Sequence, residues 1–582
     1  MINFAELRSV AFEWISKSES VRILSLQERQ KLQLHEFAEV WEVTTEIYNV
    51  SGQIEITTFN LAIPRDFPLL VPRVYLTPDS FNKYKHLPHT QPDYFICTFK
   101  DDAQANINFP GQVVELVLRK AKRIIEDGLA SRNEADYEDE FSAYWALSYS
   151  RRDQPKETVL SVLDGPIGNT FKLILLDKPI GKFSEVIHQQ GAEALRFIDY
   201  LKENQHKYKE YEGINVGAIP ITKPPFEYSN KQTFELIQKY DAQVHEELIR
   251  FINKQPSPIY LLFSKQINGL TRYFGWRYGA ANLNRNGFRN GKIKPFQALS
   301  TYQAADLVTR IVLEDFSSSR LSARTAGSIS AAEHCFVVVG VGSVGSNLTP
   351  FLISIQNTRL KLIDDESLRV ENIGRHLLGL SDVGLFKTRG VRSHLLRNRP
   401  TLDVNTKEES ILTVLQNEIS FISDSTYLFL AIGNTSIERY ISSILREKAS
   451  ELPMFIFWVE PYLAAGHCIF LDPGGATFDA FFDEQDLFRG NLIAKTEYIG
   501  KNPLLSKKEA GCQTSYVPYS SSDMLAFLGS LFPFILNIIR SSQKGTRSFS
   551  WVGDLVTVEQ MGLEIAAEFR SNAYGTIIES RA

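Results

Sequence analysis

Between residues 336 and 364 the chain reads as a strand (336–339), a glycine turn (Gly340-Val341-Gly342-Ser343-Val344-Gly345), a helix opening at SNLTPFLISI, a second strand (LKLID) and an acid at its end. A strand that passes through glycines into a helix and back to a strand is a βαβ unit, which calls for a parallel sheet covered by helices. The glycines let the backbone turn sharply and come close to a phosphate, which then sits at the positive end of the helix. Asp364 follows Gly345 by 19 residues, where a carboxylate accepts hydrogen bonds from ribose hydroxyls. Gly340, Gly342, Gly345 and Asp364 are therefore candidate nucleotide-binding residues. A glycine turn without a ligand is the competing reading.

One such unit occupies a small part of 582 residues, a length that calls for about four domains. Hydrophobic residues at 43% and charged residues at 23% exclude a disordered or fibrous chain. Lys and Arg number 63 against 68 Asp and Glu, a formal net charge of -5, so no global positive field draws nucleic acid and none is expected as a partner. The uncharged run 524–539 is 16 residues with Pro533 and Asn537 inside it. That is short of the roughly 20 residues that span a bilayer, so it reads as a buried helix and no membrane partner is expected. The opening MINFAELRSVAFEW has neither the basic start nor the apolar core of a secretion signal, and a cytoplasmic location is expected.

The cysteines, at 97, 335, 468 and 512, form no CxxC pair, against a zinc ribbon or a disulfide framework. Cys335 and Cys468 lie in apolar strands and read as core. The first 150 residues predict an amphipathic helix, two strands (EVWEVTTEIY and GQIEITTFNLAI) joined by a turn at Asn49 to Gly52, and a helix over GQVVELVLRKAKRIIEDGL. The acidic stretch from Ser131 to Glu140 reads as a surface connector, and His86 as a surface residue. Residues 158–300 mix strand-like runs (FKLILLD, SPIYLLF) with one or two helices and carry no chemical constellation. Their segment WRYGAANLNRNGFRNGKIKP reads as a long surface loop, with a phosphate or partner loop as the alternative. From residue 303 an α/β pattern begins with a helix over QAADLVTRIVLEDF.

Past the second strand, Leu362-Ile363-Asp364-Asp365-Glu366, then Asn372-Ile373-Gly374-Arg375, then Gly384 and Lys387 resemble the D-x-D/E, N-x-x-R and G-x-x-K series of the ubiquitin-activating and ThiF/MoeB adenylating family. The resemblance implies ATP rather than a nicotinamide, with Asp364 on the ribose and Asn372, Arg375 and Lys387 on the phosphates. Fixed cations suit a step in which pyrophosphate departs. The family also implies Mg²⁺, but its Asp-containing segment after the next strand is here Gly433-Asn434-Thr435, without a carboxylate in that place, so the metal ligand is unknown. Arg320 and Arg324 lie where the family places an arginine that reaches the nucleotide of a dimer partner, and a homodimer is expected.

Cys512 stands six residues before Pro518 in GCQTSYVP, which matches the C-T-x-x-x-x-P element of thioester-forming activating enzymes. A buried structural cysteine is the alternative. Cys97 follows the segment IPRDFPLLVPRVY, whose prolines at 64, 68 and 72 resemble the proline-spaced segment of ubiquitin-conjugating enzymes. In that family an asparagine lies eight residues before the catalytic cysteine; here His89 holds the register. His89 is suited either to donate to an oxyanion or to accept a proton.

A conjugating-type domain ahead of an activating-type domain resembles the bacterial fusion proteins that accompany cGAS/DncV-like nucleotidyltransferases in CBASS anti-phage operons. The expected fold is mixed α/β and α+β in three parts: a ubiquitin-conjugating-like α+β domain over 1–150, a central α/β linker domain over 151–302, and a ThiF/MoeB-type Rossmann-like adenylation domain over 303–582. The resemblance implies an ATP-dependent ligase that adenylates the free C-terminus of a cGAS/DncV-like nucleotidyltransferase and passes it through Cys512 and Cys97 to an acceptor lysine. A sulfur-carrier adenylyltransferase and a non-catalytic scaffold are the alternatives.

Overall fold

The computed structural model describes residues 3–581 apart from 100–104, 148–155, 164, 256, 284–292, 327–331, 449–450, 495–506, 509–514, 517 and 541–544. Cys512 and most of the Asn- and Gly-rich loop after Tyr278 lie outside the described residues. The chain forms two compact units, Met1–Gln190 with Lys207–Asp315, and Gly191–His206 with Phe316–Ala582.

The first unit opens with helix α1 (Phe4–Ile15), whose first turn is capped by Asn3 accepting from the Glu6 N–H. A meander follows: β1 (Ser20–Ile23), β2 (Glu39–Tyr48), β3 (Ile54–Ile63), β4 (Arg73–Leu76) and β5 (Phe95–Ile96), in that order in one sheet. Asn49 makes the β2–β3 turn, accepting from the Ser51 and Gln53 N–H groups. Helix α2 (Pro110–Leu129) buries Val114, Val117, Leu118, Ala121 and Ile125 against Trp41, Val43 and Ile47 of β2. Its Gly111 meets Trp14, whose ring lies 2.4 Å from where a Cβ would be, so no larger residue fits.

Next come two short helices, α3 (Ala135–Asp139) and α4 (Phe141–Ala146). The stretch Ser131–Glu140 is mostly exposed, as a surface connector would be, but its Tyr137 is buried. Tyr137, Phe141, Tyr144 and Trp145 are buried in the core of the barrel that follows, because four aromatic side chains in nine residues outweigh the acids between them. The barrel closes in the order β10-β11-β12-β6-β8-β7-β9. Its strands are β6 (Lys156–Val162), β7 (Thr170–Ile180), β8 (Phe183–His188), β9 (Tyr208–Ala218), β10 (Ile259–Ile267), β11 (Leu270–Tyr278) and β12 (Thr309–Asp315). Helix α5 (Ala192–Glu203), between β8 and β9, belongs to the second unit; α6 (Asn230–Tyr240) and α7 (Ala242–Lys254) pack Phe234, Ile237, Leu248 and Ile252 against the barrel.

Strand β12 corrects the helix expected over QAADLVTRIVLEDF. It pairs with β11 on one side and β6 on the other, so both of its edges are hydrogen-bonded, and the β-branched Thr309, Ile311 and Val312 suit that place. Arg310, 1% exposed, donates to the carbonyls of Trp145 at 2.9 Å and Leu147 at 2.7 Å, and the Trp145 indole donates to the Ile311 carbonyl at 2.8 Å. The partner is thus remote in sequence, and a helical pattern gave way to tertiary pairing.

The second unit is a twisted sheet in the order β15-β14-β13-β16-β17-β18-β19-β20, from β13 (His334–Val339), β14 (Thr358–Ile363), β15 (Asp403–Lys407), β16 (Tyr427–Leu430), β17 (Met454–Val459), β18 (Ala465–Leu471), β19 (Arg547–Val552) and β20 (Ile577–Arg581). The first five are parallel and the last three antiparallel. Helix α8 (Ser318–Ala326) precedes the sheet, and α9 (Ser343–Ile353), α10 (Lys387–Asn398), α11 (Thr435–Lys448) and α12 (Ser521–Arg540) are set among its strands. Alternate residues of β13 face opposite cores: Phe336 and Val338 join α9, α10 and α12, while Val337 and Val339 join α11. By length and composition α12 is the one described helix able to cross a membrane, with mean hydropathy 1.7. Its Met524, Phe527, Leu528, Leu531, Phe532, Ile535 and Ile538 are instead buried in the sheet's core, as expected of a buried helix, though its span of 20 residues exceeds the uncharged run.

Candidate active sites

The sheet order reverses at β13, whose neighbours are β14 and β16, and ligands of open α/β sheets sit outside the strand ends at such a point. Gly340 follows β13 with φ +81, and a Cβ there would lie 2.7 Å from the Ala431 carbonyl oxygen. A Cβ on Gly345 would lie 2.0 Å from the Gly340 carbonyl oxygen. Both glycines are demanded by the protein itself. Gly342, the N-cap of α9, is not: a Cβ there would meet open space. Open space at the start of a helix is the setting in which a backbone can approach an anion.

Asp364 accepts from the Val341 N–H at 2.6 Å and the Glu366 N–H at 2.9 Å, so one carboxylate ties the second strand to the glycine turn. Burial pushes its pKa up, and the backbone donors and the Lys387 ammonium oppose that. The segment after β14 is fastened to α9 by the Arg375 carbonyl, which accepts from Ser343 Oγ and Asn347 Nδ2, both at 2.9 Å. His376, absent from the sequence reading, holds the turn from behind. Its Nδ1 accepts from the Leu378 N–H, so its Nε2 carries the proton and donates to the Val341 carbonyl at 2.8 Å.

The side chains expected to meet the nucleotide have partners of their own. Asn372 Oδ1 accepts from the Arg369 N–H at 3.0 Å, the Arg375 guanidinium lies 4.5 Å from the Tyr519 ring centroid, and the buried Lys387 ammonium pairs with the Glu366 carboxylate. Arg320 and Arg324 lie on α8, and among the described residues neither supplies a hydrogen bond that holds the turn. A carboxylate does back the Gly433 loop. Glu438, 1% exposed, reaches back from the first turn of α11 to accept from the Gly433 N–H at 3.0 Å, and burial pushes its pKa up to about 7. Sequence alignment by position misses it because it stands five residues later.

The second centre lies in the first unit. Cys97 follows β5, is partly exposed, and its N–H donates to the His89 carbonyl at 2.9 Å. Interaction with the Cys97 side chain raises the His89 pKa, Asp136 and Glu140 add to the rise, and burial opposes it. His89 Nε2 lies 2.9 Å from Asp136 Oδ2, and Nδ1 lies 3.6 Å from Glu140. The His89 N–H donates to the Tyr144 hydroxyl at 2.8 Å, which donates to Glu140 at 3.0 Å. His86, half-buried rather than on the surface, accepts at its carbonyl from the Tyr137 hydroxyl. His86, His89 and Tyr94 have φ of 75, 64 and 74, and left-handed non-glycine residues gather where function fixes the backbone. A cavity of about 360 Å³ is lined by Cys97, His89, Gln91, Asp139, Glu140 and Tyr144 among others. Asp136 and Glu140 were missed in the sequence because they stand some fifty residues from His89; the only signal was an acidic run interleaved with large aromatics.

Residues 10–151 match the prokaryotic E2 family B, and residues 324–496 match the ThiF family. The chain joins an E2-like domain to a ThiF domain. The ATP-dependent ubiquitin transferase-like protein Cap2 of Escherichia coli (strain TW11681) is 22% identical over 516 residues, 82% of this chain and 84% of that protein, and the two are homologues. Among solved structures, similarity extends to PaaA (16% identity, TM-score 0.31, 45% of this chain and 75% of that one) and to Escherichia coli MccB with MccA-N7isoASN (13% identity, TM-score 0.30, 43% and 64%). An E2-like domain fused to a ThiF domain is the make-up of an activating- and conjugating-like ligase, with ubiquitin-activating-like adenylation and use of ATP.

Proposed function

We propose that the chain activates the C-terminal carboxylate of a substrate protein and carries it through two thioesters to an acceptor amine. The observation behind this reading is that one chain holds a glycine cradle at a sheet's reversal point and a partly exposed cysteine that lines one cavity with a histidine. In the first step the carboxylate attacks the α-phosphorus of ATP and the bond to pyrophosphate breaks, leaving an acyl-adenylate. The glycine turn and the α9 N-terminus receive phosphate, Asp364 the ribose, and Asn372, Arg375 and Lys387 the remaining charge once their present partners are released.

The Cys512 thiolate then attacks the mixed anhydride and AMP leaves. Cys97 takes the acyl group from Cys512, and an acceptor lysine finally attacks the Cys97 thioester. The transfers between sulfurs are nearly isoenergetic, so loss of pyrophosphate drives the sequence. Among the described residues no three His, Cys, Asp or Glu side chains converge as a metal site, and Glu438, the carboxylate behind the Gly433 loop, accepts from a backbone N–H.

The resemblance to CBASS fusion proteins favours a cGAS/DncV-like nucleotidyltransferase as the activated protein, primed for anti-phage signalling in the cytoplasm. In a homodimer Arg320 and Arg324 reach the partner's nucleotide; light scattering at micromolar concentration tests that assembly. The reaction itself is tested by mixing the chain with ATP and such a nucleotidyltransferase and following pyrophosphate release and non-reducing gels. The expected result is an ATP-dependent, thiol-sensitive adduct that is absent from Cys512→Ala and stalls on Cys512 in Cys97→Ala. Pyrophosphate release with no thioester would favour the sulfur-carrier adenylyltransferase, and no use of ATP the scaffold.

A further inference from the structure

We infer that Asp136, with Glu140 beside it, is a positioning residue that makes His89 the general base of the Cys97 centre, so that cysteine, histidine and aspartate act as one proton relay. The inference rests on the reading of Cys97 as an acyl carrier. Its grounds are geometric. Asp136 Oδ2 stands 2.9 Å from His89 Nε2, which fixes the ring and places a proton on that nitrogen, leaving Nδ1 to accept. The His89 backbone is held from two sides, by the Cys97 N–H on its carbonyl and by the Tyr144 hydroxyl on its N–H.

The acids do not sit there by chance of surface charge. Helices α3 and α4 are anchored in the barrel core by Tyr137, Phe141, Tyr144 and Trp145, which fixes Asp136 and Glu140 over the imidazole. The ionisable groups that face His89 are Cys97, Asp136, Glu140 and Tyr144, with Asp139 lining the same cavity. Two carboxylates, Asp139 and Glu140, and no cation among the described residues line that cavity, and with Asp136 against the ring they favour an imidazolium once a proton is taken up.

In transfer to Cys97, sulfur attacks the carbonyl of the incoming thioester while the Cys97 S–H proton passes to His89. The tetrahedral oxyanion collapses, the carbonyl bond to the donor sulfur breaks, and the departing thiolate takes the proton back from the imidazolium. In transfer to the acceptor, the amine attacks, its surplus N–H proton passes to His89, the bond to Cys97 sulfur breaks, and that thiolate is reprotonated.

The test uses the resting full-length chain: the rate of Cys97 alkylation by iodoacetamide from pH 5 to 9, read by peptide mass, for wild type, His89→Gln, Asp136→Asn, Asp136→Glu and Glu140→Gln, with thermal melts alongside. His89→Gln should slow alkylation at pH 7 by about 100-fold and Asp136→Asn by about tenfold. Asp136→Asn should also move the acid limb to lower pH, because the imidazolium loses its partner, and Asp136→Glu should recover part of both effects. An Asp136→Asn profile that superimposes on wild type, in a chain that melts normally, overturns the positioning role. If Asp136→Asn does not fold, an Asp136→Glu limb unmoved from that of His89→Gln does the same. Alkylation needs no ATP, so absence of an ATP-dependent adduct on wild-type Cys97 would sink the acyl-carrier reading separately.

Discussion

At the glycine turn the backbone makes the site, and at Cys97 the side chains do. Gly340 and Gly345 are excluded from carrying a Cβ by carbonyl oxygens 2.7 and 2.0 Å away, and the parallel strands β13, β14 and β16 set their positions. His89, by contrast, is held by Asp136, 47 residues on, and Tyr144, 55 residues on, both carried by helices docked in a barrel. A backbone site survives most changes of side chain around it but none that adds volume at its glycines. A side-chain site depends on a remote anchor.

The sharpest way to break this contrast is Trp145→Ala. Trp145 is 1% exposed amid Phe141, Phe263, Phe274 and Trp276, and its loss should cost about 3–5 kcal/mol. Cys97 alkylation should lose its His89-dependent pH profile while ATP–pyrophosphate exchange persists; loss of exchange to the same degree would erase the distinction. Gly345→Ala is the converse. Its methyl meets a backbone oxygen, so about 1–3 kcal/mol of stability and nearly all exchange should go, with Cys97 alkylation unchanged.

A third change should stabilise. Burial raises Glu438 from 4.5 to about 7. Because the folded value lies above the unfolded one, the stability contributed by the protonated group is complete below about pH 4.5 and is lost as the pH rises through about 7. Glu438→Gln keeps an oxygen for the Gly433 N–H and carries no charge, so at pH 8 it should melt higher by roughly 2–3 kcal/mol, the gain vanishing near pH 4. A lower melting point at pH 8 would mean the carboxylate charge itself holds the loop. The smallest effect belongs to Gly342→Ala: stability within about 0.5 kcal/mol of wild type, because its Cβ meets open space, yet weaker use of ATP if phosphate fills that space. Unchanged exchange would place the phosphate elsewhere.

The same contrast explains what the sequence disclosed. The glycine turn was legible because its parts follow one another within 30 residues and Gly345 has a steric reason close by, the Gly340 carbonyl. The meander, α2 and the register of Cys97 with His89 were legible for the same cause. Asp136 and Glu140 were hidden in an acidic run that reads as solvated surface unless the docking of Trp145 is known. Strand β12 was hidden because its ladder partners, β6 and β11, are fixed by barrel closure, and Glu438 because a helix brings it back to Gly433 from five residues downstream. Local patterns name backbone sites; side-chain sites assembled across elements need the fold.

The central claim, that one chain both activates a carboxylate and carries it on Cys97, is tested most directly by intact-mass spectrometry of Cys97→Ser co-expressed with its operon neighbours. A serine ester should trap the transferred protein as a stable adduct, lost when Cys512 or Asp364 is also replaced. An adduct that forms equally without Asp364, or none in a chain that still releases pyrophosphate from ATP, would contradict the account.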